Sequence, residues 1–363
     1  MQRKKILILC PYPEDKAPSQ RLKFEQYYDH FRAAGYDLTV SSFVSPSFWN
    51  VIYKKGHLLQ KAYYTIAGYI RRLGDLFRIR RYDLVYVHLW VTPLGPPIFE
   101  RLVRSLSRKV VFDIDDLVYL KNLKSKATPL ISKLKGAQKP LYLMRVADHV
   151  ITCTPYLDNF VRQLNVNTTD ISSTVDTEAY QAKSGYSLKE GKLVLGWSGS
   201  LSTAKYLHLL DDVFRQLCRH IDFKLLVLGD RNFRIEGVDV EAYDWEKSIE
   251  LSTISRFDIG LYPLPDEEWV YGKSSLKAIQ YMAMGIPTLG TAIGTNFRVI
   301  EDGVSGFLIN TPEEWVSRII QLAENIELRK RIGENARQKV VANFSISANK
   351  DIYLEILNKM AAV

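Results

Sequence analysis

The order of residue types from Asp258 to Gly294 leaves this chain few ways to fold. Ile259 to Tyr262 is short, apolar and β-prone, and Pro263 and Pro265 end it. An acidic and aromatic loop then runs into Tyr271-Gly272-Lys273-Ser274-Ser275. Leu276, Ile279, Met282 and Ala283 repeat with helical spacing, Gly285 and Pro287 stop the repeat, and Thr288-Leu289 starts a second strand. Strand, small-residue turn, helix and strand predict a parallel α/β unit. A helix opening after such a turn presents unpaired N–H groups, which favour an anion. Two readings stay open: Gly272 to Ser275 cradles a phosphate, or it only caps a helix. Lys273 and Lys277 share one helix face, as cradle cations or as a solvated edge.

The chain of 363 residues is 47% hydrophobic, long enough for two domains with separate cores. Cys10, Cys153 and Cys218 are odd in number, widely spaced and mostly within apolar runs, so they read as buried thiols in a reducing compartment. Lys5 leads straight into Ile6-Leu7-Ile8-Leu9, with no long apolar leader, and no apolar run reaches bilayer-spanning length. The expected location is cytoplasmic, with peripheral attachment to the inner face of the membrane as an option. A net charge of +9 asks for an anionic partner.

Taken from the start, Ile6–Leu9, a helix through Ala33 closed by Gly35, and Asp37–Phe43 open a parallel sheet. The loop after the first strand, reaching Ser19 and Arg21, is where such sheets place ligands. From Trp49 to Tyr82, eight Lys and Arg stand against one acid, Asp75, among many aromatics. This pattern suits an anionic membrane surface, or else a solvated basic face over a core helix. Strands are predicted at Leu84–His88 and Val110–Ile114. The second runs into Asp113, Asp115 and Asp116, acids that face solvent, a cation or a substrate. Lys121 to Lys139 reads as a basic loop or short helix, Val150–Thr154 and Ile171–Val175 as strands, and residues 182–191 as a linker. The second half repeats the architecture. Leu193–Trp197 leads into Ser198-Gly199-Ser200, Ser202-Thr203 and a helix with Lys205, while Phe223–Leu228 ends at Gly229-Asp230. The expected domains are 1–183, joined by a returning helix at 345–363, and 192–344.

Several of these stretches together resemble a known family, the retaining, nucleotide-sugar-dependent glycosyltransferases of the GT-B fold, family 4. They are Phe257 to Leu264, Gly272-Lys273 with Lys277, Tyr281 to Pro287, Gly294, Asn296 and an Asp302-Gly303 to Gly306-Phe307-Leu308 hairpin. Gly196 to Ser200, Ser202-Thr203 and Val227 to Asp230 are similar too. The resemblance implies an α/β chain of two Rossmann-like, doubly wound domains facing a central cleft, the second holding a nucleotide diphosphate sugar and the first an acceptor. On that basis Gly199, Ser200, Thr203 and Lys205 lie by the diphosphate. Gly229 and Asp230 border the base, and Tyr271, Gly272, Lys273, Ser274, Ser275 and Lys277 approach phosphate and sugar. Each lysine–phosphate contact is worth roughly 1.5–3 kcal/mol. Asp115 stands where many members have histidine and, with Asp116, is the catalytic candidate. Ser19 and Arg21 are acceptor-side candidates.

The family's two spaced glutamates correspond here to Gly272 and Gln280, and Gly199 stands where an arginine is usual. Gln280 still accepts from ribose hydroxyls but carries no charge. The implied activity is retaining transfer of a hexose-type sugar to a glycan or lipid-linked acceptor in envelope polysaccharide or glycolipid assembly. No cofactor or metal is called for, and no nucleic-acid-binding motif is present. A nucleotide-sugar epimerase of the same fold and a catalytically silent nucleotide-sugar-binding protein are the alternatives.

Overall fold

The computed structural model describes residues 3–117, 136, 138–188 and 191–362, and elements are numbered along these. The chain forms two units, one of residues 1–173 with 349–363 and one of residues 174–348.

The first unit is built on a parallel sheet, β1 (Lys4–Cys10), β2 (Tyr36–Ser42), β3 (Leu84–His88), β4 (Val110–Asp113), β5 (His149–Thr152) and β6 (Thr168–Asp170), in the order β2-β1-β3-β4-β5-β6. Its helices are α1 (Pro18–Arg21), α2 (Tyr28–Ala33), α3 (Pro46–Ile52), α4 (Leu58–Arg78), α5 (Ile98–Leu106), α6 (Lys139–Val146) and α7 (Pro155–Arg162). The single helix expected before Gly35 is instead α1, a 3-10 turn at Glu25–Tyr27 and α2. Gly35 does follow α2, in a left-handed conformation at φ 93° that suits glycine after a helix. The strand expected at Ile171–Val175 lies three residues earlier, at β6, because Thr168, Thr169 and Asp170 find partners on β5. Most of the basic stretch 121–139 lies outside the described residues. Its last member, Lys139, is buried and bonded to Thr92, Leu94 and Glu100, so it adds nothing to a basic surface.

The second unit repeats the plan with β7 (Leu193–Ser198), β8 (Phe223–Leu228), β9 (Val240–Tyr243), β10 (Ile259–Tyr262), β11 (Thr288–Thr291) and β12 (Phe307–Ile309), ordered β12-β11-β10-β7-β8-β9 and all parallel. Helices α8 (Leu201–Ala204), α9 (Asp211–Leu217), α10 (Lys247–Ile254), α11 (Leu276–Ala283), α12 (Asn296–Val299), α13 (Pro312–Glu324) and α14 (Ile326–Asn343) connect them. Successive strand residues point to opposite faces, and both faces are covered, as a parallel sheet requires. Leu195, Trp197, Leu225 and Leu261 pack with Phe214 of α9 and Ile319 of α13, while Leu226 and Tyr262 pack with Ile279 of α11 and Ala336 of α14. The expected 302–308 hairpin is a tight loop closed by Gly303 N–H to Gly306 O, after which β12 runs parallel to β11.

Residues 182–188, read from the sequence as linker, are held to the second unit. Lys183 pairs with Asp258 at 2.8 Å, and the Tyr186 hydroxyl donates to Gly285 O at 2.9 Å. Helix α15 (Ile346–Ala361) begins in the second unit, and from Asn349 onward belongs to the first. There Tyr353 packs on Tyr27, centroids 4.6 Å apart, and the Tyr36 hydroxyl donates to Asn358 at 2.6 Å. Of the three cysteines, Cys10 and Cys153 are buried as expected, but Cys218 is exposed just past the end of α9.

Two glycines set the distance between α14 and the end of α11. A Cβ on Gly333 would overlap the carbonyl oxygen of Gly285 and crowd the Tyr186 ring. Gly333→Ala gains about 1 kcal/mol in helix propensity, but overpacking against backbone costs about 1–3 kcal/mol and cannot be relieved by rotating a side chain. The variant is expected to lower the denaturant midpoint of the chain; a raised midpoint would show that the helix slides at no cost.

Candidate functional site

The C-terminal ends of β7 and β8 place two small-residue turns side by side, and α11, after the Gly272–Ser275 turn, brings Lys277 to them. After β7, Gly199 N–H donates to Leu228 O at 2.8 Å, and Gly229 adopts φ 147° with its α-carbon against the Gly199 carbonyl. Any side chain on Gly229 would strike that carbonyl, so the two chains can meet only as backbone. Ser200 then opens α8 with a capping box closed by Thr203. Asp230, half-buried at the end of β8, accepts from Asn232 N–H at 2.9 Å.

Lys277 reaches into this group from α11. Its Nζ lies 4.3 Å from the centroid of the Trp197 ring and 5.8 Å from that of Tyr262, and it donates to Thr203 Oγ1 at 3.2 Å. A Cβ on Gly199 would come within 2.5 Å of the same ammonium, so the missing side chain at 199 is what makes room for it. No carboxylate lies within ion-pair distance of Lys277 among the described residues. Burial, and then the nearby charge of Lys273, push its pKa down to about 7. Two further cations stand close by: Lys273 Nζ lies over Trp269 and Lys205 Nζ over Tyr206, with the two rings 5.3 Å apart. Lys277, held by one hydroxyl and two aromatic faces, suits an anionic ligand beside it.

The turn before α11 carries Lys273. Ser275 takes a left-handed conformation, φ 59° and ψ 30°, with its hydroxyl donating to Asn296 Oδ1 at 2.6 Å rather than capping the helix. A serine held there costs conformational energy, and the first N–H groups of α11 receive no side-chain cap from it. Tyr271 and Gly272 close a 3-10 turn at Glu268–Gly272, and Ser274 precedes Ser275.

Gln280 is held from within the protein through its amide nitrogen. Its amide nitrogen donates to the Tyr180 hydroxyl at 2.6 Å and to Glu250 Oε1 at 3.1 Å, and Glu250 accepts from Trp245 Nε1 at 3.1 Å. Gln280 is therefore buried and engaged within the protein. The buried carboxylate of this region is Glu250, from α10, which nothing in the sequence singled out. The aromatic faces of Trp197, Tyr206 and Trp269 also escaped notice as site residues, although Tyr206 adjoins Lys205 and Trp197 adjoins the Ser198-Gly199 turn.

In the first unit, the three acids at the end of β4 separate. Asp113 is fully buried, paired with Lys23 at 3.0 Å and accepting from the Tyr86 hydroxyl. His88, 3.8 Å away, is held neutral by burial, its pKa lowered to about 4. Asp113 is therefore part of the core rather than of an open rim. Asp115 and Asp116 lie beyond the strand and are half-buried, with Asp116 accepting from Leu117 N–H at 2.7 Å. Ser19 and Arg21 sit on α1, after the loop that leaves β1. The donor-side candidates thus gather in one unit, and Asp115, Asp116, Ser19 and Arg21 belong to the other.

The pH behaviour of Lys277 has a defined sign. Its folded pKa of about 7 lies below the ordinary 10.5, so between these values the unfolded chain binds more protons at this position. Stability from this group therefore rises with pH across that window and is lowest below pH 7. A bound anion reverses the shift. Pyrophosphate binding at pH 8 is expected to take up a proton, seen as a buffer-dependent heat in calorimetry. Lys277→Met should abolish the uptake and weaken binding at least tenfold; unchanged affinity would remove Lys277 from the anion site.

Comparison with known proteins places this geometry. Residues 192–325 match the family described as "Glycosyl transferases group 1". N-acetyl-alpha-D-glucosaminyl L-malate synthase of Bacillus anthracis is 27% identical over 194 residues, 49% of each chain. Trehalose synthase of Pyrococcus horikoshii is 34% identical over 85 residues, 23% of this chain and 20% of that one. The match spans about half the length of the first relative and a fifth of the second. Among solved structures, HepE of Anabaena in complex with UDP and glucose superposes with a TM-score of 0.69 at 15% identity, covering 98% of this chain and 100% of that one. Sucrose-phosphate synthase of Thermosynechococcus elongatus gives 0.71 at 15% identity, covering 99% and 100%. The chain has the GT-B fold, and within it residues 192–325 are similar to the group 1 glycosyl transferases.

Proposed function

We propose that the protein transfers a sugar from a nucleoside diphosphate sugar to a glycan or lipid-linked acceptor, as a retaining hexosyltransferase of family 4 in envelope polysaccharide or glycolipid assembly. The observation that carries the reading is the Lys277 ammonium, 4.3 Å over Trp197 between the turns of Gly199 and Ser275, inside the matched domain. A diphosphate supplies the counter-charge this ammonium lacks. The cradle then stabilises negative charge as the sugar–phosphate bond breaks, which is where the barrier is lowered. The structure of HepE with UDP and glucose supports a uridine nucleotide as the first donor to try.

In this reading Lys277, Lys273 and Lys205 bear on the phosphates, with the N–H groups at the start of α11. Asp230, at the end of β8, borders the base. The leaving phosphate takes the acceptor proton, and Asp115 orients the hydroxyl that it deprotonates. Holding donor and acceptor in line supplies much of the rate. No metal or cofactor is assigned a part. In this reading the enzyme works in the cytoplasm, with peripheral attachment to the inner face of the membrane as an option. Among the described residues, no helix is long and apolar enough to cross a membrane.

A second reading, a silent nucleotide-sugar-binding protein, is favoured by Gln280 being bonded to Tyr180 and Glu250 instead of standing open for a ribose. A same-fold epimerase is the third. A panel of nucleotide sugars with and without acceptors separates them. Transfer with the anomeric configuration kept, by NMR of the product, is expected. An epimerised sugar without acceptor, or binding without turnover of any pair, overturns it. Asp115→Asn is expected to cut turnover by about 10²-fold or more while leaving nucleotide affinity unchanged, because Asp115 belongs to the other unit. Wild-type turnover in that variant would take Asp115 out of the reaction.

A further inference from the structure

Helix α4 is turned inside out. With 3.6 residues per turn, positions three and four apart share a face, and Leu59, Tyr63, Ile66, Ile70, Leu73 and Phe77 follow that spacing along its whole length. All six are exposed, between 45% and 89% of their surface. The opposite face is the buried one. Gly68 lies so close to the Phe43 ring that a Cβ would come within 2.7 Å of it. Arg72 is buried and bonded to Cys10 O, Ser41, Val91 O and Asp75. A soluble helix normally places its apolar stripe inward; here the inward face combines buried Arg72 and Asp75 with Tyr64 and Tyr69 packed on Phe48 and Phe43, and an apolar stripe faces outward.

Charge is sorted the same way. Asp75, the one acid of the helix, is buried and paired with Arg72 and Arg78. Lys54 and Lys55 before the helix and Arg80 and Arg81 after it are exposed. Arg71 and Arg72 are not part of this surface, since Arg71 donates to Ser42 O and Phe43 O and Arg72 is buried. The neighbouring α5 repeats the arrangement. Tyr69 of α4 packs on Phe99, Ile98 and Leu102 are exposed, Arg101 is exposed, and Glu100 is buried beside Lys139.

We propose that α4 is an in-plane membrane anchor, its six-residue apolar stripe entering the interface of an anionic bilayer and the basic pairs at its two ends meeting phosphate headgroups. An exposed apolar stripe this long marks an interaction surface, and a helix of this make-up lies in the interface rather than crossing it. The charges choose the occupant. A second copy of the chain, docked through the same stripe in parallel or antiparallel sense, would set a basic helix end against a basic helix end. An anionic lipid surface complements both ends at once. The inference goes beyond the transfer reaction and does not depend on it, because it concerns the first unit and its test reads lipid binding.

The test is co-sedimentation of the full chain with vesicles of phosphatidylcholine containing one quarter phosphatidylglycerol, against phosphatidylcholine alone, in 0.1 M and 0.5 M salt. The expected result is binding to the anionic vesicles only, weakened at high salt. A triple variant Ile66→Asn, Ile70→Asn, Phe77→Asn and a quadruple variant Lys54→Gln, Lys55→Gln, Arg80→Gln, Arg81→Gln should each lose at least tenfold in partitioning while keeping nucleotide affinity. In the otherwise unaltered chain, Phe77→Trp should shift its emission to the blue when anionic vesicles are added. Failure of the wild-type chain to sediment, binding undiminished by the triple variant, or an unshifted Phe77→Trp emission overturns the proposal. So does a dimer seen by light scattering without vesicles that the triple variant dissociates, which would assign the stripe to a second copy.

Discussion

A half-buried ammonium without a carboxylate beside it needs an anion, a set of acceptors or a lowered pKa, and Lys277 has one hydroxyl, two aromatic faces and the third. Much of the second unit's upper edge follows from keeping that group in place. Gly199 must lack a side chain, because the ammonium and the Trp197 ring occupy its volume. Gly229 must lack one because Gly199 lies against it. The Tyr281 hydroxyl accepts from Ser198 N–H at 2.7 Å and so ties α11, which carries Lys277, to the end of β7.

The first unit solves the opposite problem, burying charges that are already paired. Lys23 with Asp113, Arg72 with Asp75 and Lys139 with Glu100 are each nearly or fully inaccessible and bonded to further acceptors. Such pairs add little net stability over an apolar core, but loss of one partner leaves an uncompensated charge that typically costs 3–5 kcal/mol. They fix which face of α4 and α5 turns inward. With acids and their cations spent inside, the outward surface of these helices is left apolar and basic.

Gly272 and Gln280, where the resemblance led to an expectation of acids, both have a place in the fold. Gly272 closes a buried 3-10 turn. Gln280, Glu250 and Trp245 form a chain of hydrogen bonds from α11 through α10 to the residues after β9. A carboxylate remains in the neighbourhood, delivered by a different helix.

The sequence by itself determined the α/β fold class and most of the second unit's strands and turns. Alternating apolar runs broken by Gly, Ser and Pro are local signals, and β7, β8, β10 and β11 with their turns lie where those signals put them, as do Gly199, Ser200, Thr203, Gly229 and the Gly272–Ser275 turn. The identity of the faces was not legible. Whether Lys273 and Lys277 edge a helix or meet an aromatic pocket depends on Trp197 and Tyr262, 80 and 15 positions away from Lys277. The same holds for Asp113, which reads as one of three rim acids until Lys23, remote in sequence, draws it inward. Gln280 likewise could not reveal its partner Glu250, and the basic tract 49–82 could not show that Arg71 and Arg72 turn in while Leu59 to Phe77 turn out. Periodicity fixes which residues share a face. Only packing decides which face meets the protein, because that choice is set by partners the chain brings together from far apart.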